Sequence, residues 1–431
     1  MKSLDMKKEL GIIQSKGGYR VQINNFKILF ILMIVYTVMS LLFPEMFLNK
    51  LLFVLILVFF IITKKTIRAW FIAPISILLV FIYGFLLSFF NYSSIKLAIQ
   101  FLLAIFILFL IYPIVSYEID MDMVASIGGV FLLVADLLFV FFIASKYSFR
   151  LPFGISEYGI VARIVPNSFF EMLERYGETA FGYRGYFGNF NTMIHIGTIP
   201  FLYLPTCLWF KNWMQTKKIR YIVLVILSLF AIFLSTSRAL LLLTVGMLFF
   251  LYVIHRHSNS TKLIALFITL LVVIYLLSYI LHTTEVFSIK DSSNNLKVDH
   301  LVSAFREMTP LQFLFGKGLG SYFYSYGVGA ELAHTEITLL DYFRYFGVPL
   351  AIYIYYKLIN PFSIQQLVNL KLKKNTFEER IVFLGYLLMS LTNPVLMNSL
   401  GTLVILWYWS KLVRAENNMH NSIILEGTCN G

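Results

Sequence analysis

Tyr221–Val253 reads YIVLVILSLFAIFL, then STSR, then ALLLLTVGMLFFLYV: two apolar runs joined by Ser235-Thr236-Ser237-Arg238. An ionisable side chain costs about 2.5–3.5 kcal/mol at the centre of a membrane span and less near an interface, so an arginine retained between two such runs marks a site by default. Arginine also snorkels and anchors helix ends. The tetrapeptide alone does not separate these roles.

Working outward, the rest of the chain has the same character. Of 431 residues, 59% are hydrophobic and only 13% charged, with a mean hydropathy of +0.79. That excludes a soluble globular domain. Runs suited to crossing about 30 Å of hydrocarbon begin near Phe26, Leu48, Trp70, Ile95, Met123, Thr192, Tyr221, Ala239, Leu263, Glu336, Ile381 and Met397, which predicts about twelve helices. The expected fold is an all-α polytopic membrane protein. Residues 1–25 form a basic cytoplasmic segment, 26–415 a single transmembrane domain, and 416–431 a cytoplasmic tail.

Lysine and arginine set the orientation. Lys2, Lys7, Lys8, Lys16, Arg20 and Lys27 lie on one side with Lys64, Lys65, Arg68, Lys211, Lys217, Lys218, Arg220, Arg256, Lys262, Lys371, Lys373, Lys374, Arg380, Lys411 and Arg414. That side is expected to be cytoplasmic, both termini included. The acidic turn Glu118–Asp122 falls inside too, where carboxylates contribute little to the rule. The first apolar stretch follows a long basic segment and has no small-residue cleavage site, so it is read as a signal anchor. Cys207 and Cys429 support neither a disulfide framework nor a cysteine metal site. No cluster has metal-ligand spacing, and no metal or cofactor is expected.

The same topology puts the long loops at about 145–190 and 282–335 outside the cytoplasm. Both are rich in aromatics and glycines rather than in the bias of disorder. Within the first, Pro166–Tyr176 places Phe169, Leu173 and Tyr176 at i, i+4 and i+7, which predicts a short amphipathic helix on the membrane or capping the bundle. Much of the net charge of +13 is topological bias. The outer cations, among them Arg184, Arg238, Lys297, Arg306 and Lys317, lie where an anionic lipid head group would be met. Arginine suits phosphate because its planar fork donates paired hydrogen bonds. Nucleic acid is not expected as a partner.

Three outer segments carry most information. Gly182–Asn191 packs glycines, aromatics, amides and Arg184 into the entry of the sixth span, with Asn189 and Asn191 both able to cap the helix that follows. Ser235–Arg238 is the second. Phe315-Gly316-Lys317-Gly318-Leu319-Gly320-Ser321, followed by His334-Thr335-Glu336, is the third. The glycine run is no P-loop: its spacing is wrong, no strand precedes it, and it lies on the face without ATP. His334 is the candidate for proton transfer near neutral pH. Asp341 and Arg344 follow on the predicted helix, Asp341 on the His334 face and Arg344 spaced for an i,i+3 ion pair with it.

In this order the three segments resemble the superfamily of O-antigen polymerases and O-antigen ligases, bacterial membrane glycosyltransferases. An Arg-Gly-x-Phe-x-x-x-Asn pattern is met by Arg184, Gly185, Phe187 and Asn191. Ser237-Arg238 meets the Ser-Arg motif, and Gly318-Leu319-Gly320 with His334 and Gly347 the Gly-x-Gly then His pattern. The family often has an arginine where Lys297 stands and an amide where Thr335 stands.

The resemblance implies a GT-C-type architecture in the bacterial inner membrane and an inverting, metal-independent transfer on the extracytoplasmic face. The donor would be a polyprenyl-diphosphate-linked oligosaccharide. Arg184 and Arg238 would meet charge on the diphosphate, His334 would act as base, and Asp341 or Glu336 would orient or replace it. Asn191, Lys297, Arg306, Glu336, Asp341 and Arg344 are expected in substrate binding. Polymerisation of O-antigen or capsule repeats is favoured. The alternatives are ligation to a lipid A core sugar or other acceptor, and a flippase of the lipid-linked glycan, against which no repeat symmetry is seen. Membrane lipid and a chain-length regulator protein complete the expected partners.

Overall fold

A computed structural model describes residues 16–44, 47–63, 73–146, 166–185, 194, 197–235, 237–256, 292–335, 337–362, 376–391, 393, 395–396 and 398–429. Asn189, Asn191, Glu336 and the run expected from Leu263 lie outside these. In chain order the first helices are α1 (Lys16–Leu42), α2 (Phe47–Ile62), α3 (Ala73–Ser88) and α4 (Ile95–Phe106), with α4 running through a 3-10 turn into α5 (Ile111–Ser116). Then come α6 (Met121–Lys146), α7 (Asn167–Ala180), α8 (Tyr203–Thr216), α9 (Ile219–Leu234) and α10 (Arg238–Arg256). The second loop holds α11 (Ser292–Glu307), α12 (Pro310–Phe315) and a hairpin of β1 (Phe323–Ser325) and β2 (Ala330–Leu332), paired antiparallel. α13 (Thr338–Phe346), α14 (Val348–Ile359), α15 (Phe377–Ser390) and α16 (Ser399–Cys429) complete the chain.

Among the described residues, helices stand where the runs from Phe26, Leu48, Ile95, Met123, Tyr221, Ala239 and Ile381 are expected, and four stretches are long and apolar enough to cross a membrane: Asn25–Leu42, Ile95–Ser116, Met121–Lys146 and Arg238–His255. Leu48–Ile62, Ala73–Ser88, Ile219–Leu234 and Val348–Ile359 are shorter apolar helices. The chain is therefore a helical membrane protein.

Helix α16 forms the centre. Its residues Leu403–Trp409 are all buried, because a helix that is apolar on every face must be surrounded by others. Trp409 donates its indole N–H to the Leu358 carbonyl at 2.9 Å, and the Tyr408 ring stacks on Phe383 at 4.1 Å. On the same helix Trp407 and Lys411 both bond Asp122, and Arg414 donates to the Glu118 carbonyl. The acidic turn is thus met by the Lys411 and Arg414 cations of α16.

The run expected from Glu336 as one span is two helices. Gly347, at φ +78°, breaks the chain between α13 and α14, and Pro349 sits in the first turn of α14. The break lets α12 approach, since a Cβ on Gly347 would stand 2.2 Å from the Leu314 carbonyl oxygen.

Helix α7 forms as expected from Pro166–Tyr176 but is turned slightly from the predicted face. Phe170, Gly177 and Ala180 are buried, and Glu174 pairs with Lys146 at 2.6 Å. Gly177 faces the ring of Phe139, so close packing on α6 decides which side of α7 turns inward.

Candidate functional site

The glycine run is a wedge rather than a ligand cradle. Lys317 and Gly318 donate their backbone N–H groups to the Arg344 and Tyr345 carbonyls at 2.7 and 3.0 Å, at the end of α13. Leu319 donates to the Gly84 carbonyl at 2.9 Å, and the Ser88 hydroxyl returns a bond to the Leu319 carbonyl at 2.8 Å. Gly318, at φ +93°, passes so close to α3 that a Cβ would lie 2.6 Å from the Ser88 nitrogen. The segment thus ties α3 to α13, and Leu319 is fully buried between them.

The chain then turns through the hairpin and returns as an extended stretch to His334. His334 does not share a helix face with Asp341, because α13 begins only at Thr338. Tertiary contact joins them instead. The backbone N–H of Thr335 bonds both carboxylate oxygens of Asp341 at 3.0 Å, and the Thr335 hydroxyl closes a local turn with Ile337. Asp341 is held in turn by Arg344 at 2.9 Å, the i,i+3 pair expected from the spacing.

Arg344 is 1% exposed. Its guanidinium bonds Asp341 and the Ser321 carbonyl and lies over the Phe323 ring at 4.2 Å. A guanidinium engaged in this way supports the loop from behind. It does not offer itself to substrate, which corrects the expectation from sequence.

In front of this support is a cavity of about 170 Å³. It is lined by Leu97 and Phe101 of α4, by His334, Thr338, Asp341 and Tyr342, and by Asn398 just before α16. Asn398 Oδ1 accepts from the Leu400 and Gly401 amides at 3.1 and 2.8 Å, so it caps α16 while facing the cavity. The Tyr342 hydroxyl has no hydrogen-bond partner among the described residues, although the residue is 1% exposed. Burial, and next the Arg344 cation, lower the His334 pKa below its usual 6.5, so its imidazole is neutral at pH 7 and can accept a proton.

The other predicted residues sit elsewhere on the chain. Arg184 is exposed, just beyond α7, where the preceding Tyr183 is buried against Phe139 and its N–H bonds the Gly177 carbonyl at 2.9 Å. Arg238 is exposed at the first position of α10, with the Ser237 hydroxyl accepting from the Leu240 amide. A cation there opposes the helix dipole. Neither arginine lines the cavity of His334.

Lys297 is half-buried on α11, and Arg306, exposed, lies over the Tyr326 ring at 5.1 Å. Lys317 pairs with Glu307 at 3.6 Å. Tyr342, Thr338 and Asn398 escaped the sequence reading. Nothing in their local pattern separates them from ordinary helix and cap residues, and only packing brings them to one cavity.

No protein-family profile, curated protein or solved structure matches the chain.

Proposed function

We propose that this chain is a glycosyltransferase of the extracytoplasmic membrane face, with about twelve spans and both termini cytoplasmic. It uses a polyprenyl-diphosphate-linked oligosaccharide as donor and extends a second lipid-linked repeat unit, as an O-antigen or capsular polysaccharide polymerase of GT-C-type architecture does. The observation that carries this reading is His334 at the wall of a cavity, its pKa lowered and its loop fixed from behind by the Asp341–Arg344 pair.

The contacts between loops are consistent with the orientation. Groups assigned to the outer side meet one another: Ser94 with Gly320, Lys146 with Glu174, and Thr338 with Asn393. Groups assigned to the inner side do the same: Asp122 with Lys411, and Lys211 with Glu378 and Glu379.

In the proposed step the acceptor hydroxyl oxygen bonds the anomeric carbon as the bond from that carbon to phosphate breaks on the opposite face. The hydroxyl proton passes to His334. The electron pair leaves on the diphosphate, whose charge is assigned to the guanidinium groups of Arg184 and Arg238, outside the His334 cavity, without a metal. Asp341 and Arg344 act through the Thr335 amide and are positioning residues.

Purified protein given defined lipid-linked repeats in proteoliposomes should produce a ladder of longer glycans, lost in His334→Ala. A single product without a ladder would replace polymerisation by ligation. No transfer to any lipid-linked acceptor, with the lipid-linked glycan moved across the bilayer instead, would reject the enzyme in favour of a flippase.

A further inference from the structure

Helix α11 is inside out. Its buried side carries His300, Ser303 and Ala304 against the hairpin, with His300 3% exposed. Its outward side carries Val298, Leu301, Val302 and Phe305, an apolar stripe at i, i+3, i+4 and i+7, of which Val302 is 57% exposed. A helix in water turns such a stripe toward the core. The polar side faces inward here because it is bonded there: Ser303 bonds Asp299 at 3.1 Å, Asp299 takes the Ser325 hydroxyl at 2.6 Å, and the Tyr326 amide bonds the Ser303 hydroxyl at 3.3 Å.

The stripe continues onto α12, where the Phe305 and Phe313 rings stand 6.2 Å apart and Leu311, Leu314 and Phe315 are exposed, Leu311 at 69%. α12 packs on α14, and the Tyr83 hydroxyl of α3 bonds the Phe315 carbonyl at 2.8 Å. α3 itself exposes Leu79, Ile82 and Leu86 along its apolar length, and the adjoining turn exposes Phe89 and Phe90. Exposed apolar side chains thus stand on α11, on α12 and on the apolar helix α3, and the Tyr83–Phe315 bond ties α3 to α12. Arg306 and the Tyr324–Tyr326 ring pair stand beside it, residue types that favour the head-group layer.

From this we infer that α11 and α12 form an interfacial anchor whose partner is the outer leaflet of the bilayer. The stripe enters the acyl-chain boundary and Arg306 stands among the lipid phosphates. The exposed apolar face of α3, tied to α12 through Tyr83, selects lipid over a second copy of the chain. The choice of the outer leaflet rests on the proposed orientation, not on the proposed transfer chemistry.

The test uses full-length protein carrying Cys429→Ser, since Cys207 is buried. A fluorophore is placed at Leu301→Cys or Leu314→Cys, with Leu79→Cys on α3 as the lipid-facing reference. All three positions are exposed, so the substitutions leave the packing intact. In vesicles of phosphatidylethanolamine and phosphatidylglycerol, nitroxide-labelled lipid should quench the labels at 301 and 314 as it quenches the label at 79, and aqueous iodide should quench none of them well. Preferential quenching by iodide overturns the proposal. So does shielding from both quenchers, whether or not Leu301→Cys crosslinks between two copies, because protein would then cover the stripe.

Discussion

Asp341 takes the Thr335 N–H on both carboxylate oxygens at 3.0 Å, and thereby grips the backbone of the residue that follows His334. The carboxylate is charge-balanced by Arg344 at 2.9 Å, so a buried ion pair becomes the mount of the His334 loop.

Asp341→Ala should be strongly destabilising, because it leaves Arg344 buried without its counter-charge, a loss of about 3–5 kcal/mol. Asp341→Ala with Arg344→Met should recover much of that stability. The restored protein should still transfer slowly, since nothing then holds the Thr335 amide. Thermal unfolding of the single and double variants in detergent, alongside turnover, separates the two effects.

The lowered His334 pKa sets a direction for pH dependence. The base is neutral at pH 7 and remains so below the ordinary imidazole value of 6.5, so the rate should hold through that pH and fall only under more acidic conditions. Between 6.5 and the lower folded value the unfolded chain binds more protons than the folded one, so this group also makes stability fall on acidification. A rate profile that drops at or above 6.5 would contradict the neutral imidazole.

Arg184→Ala and Arg238→Ala should each slow transfer by about 10²–10³-fold with little change in unfolding temperature. Both residues are exposed, and the proposed work of their charges is on the leaving diphosphate. Arg238→Lys should recover only part of the rate, because an ammonium lacks the paired donors of the guanidinium. Equal rates in wild type and Arg238→Ala would remove that residue from the mechanism.

Gly318→Ala should destabilise the fold by more than about 1 kcal/mol, since its φ of +93° disfavours a side chain and its Cβ would meet α3 backbone. Gly246→Ala is the contrast. It lies within α10 with nothing within 4 Å of a Cβ, so it should stabilise by up to about 1 kcal/mol. Unfolding temperatures of the two variants should move in opposite directions.

The helical character of the chain and the places of helices such as Ile95–Phe106, Met121–Lys146 and Arg238–Arg256 follow from the sequence by itself, because their apolar runs are long enough to demand a helix. The Asp341–Arg344 pair was equally legible, being three residues apart within one helix, and so was the short helix after Pro166. Packing alone decided the rest. Gly347 divides an apparent span in two because α12 needs the space beside it, and the glycine run serves as a wedge because Ser88 and Tyr345 stand on either side. His334, Tyr342, Asn398 and Leu97 meet at one cavity although they come from separate stretches of the chain. A helical period reports which residues share a turn, whereas the partner across a cavity depends on how whole helices are set against each other, and no local spacing records that.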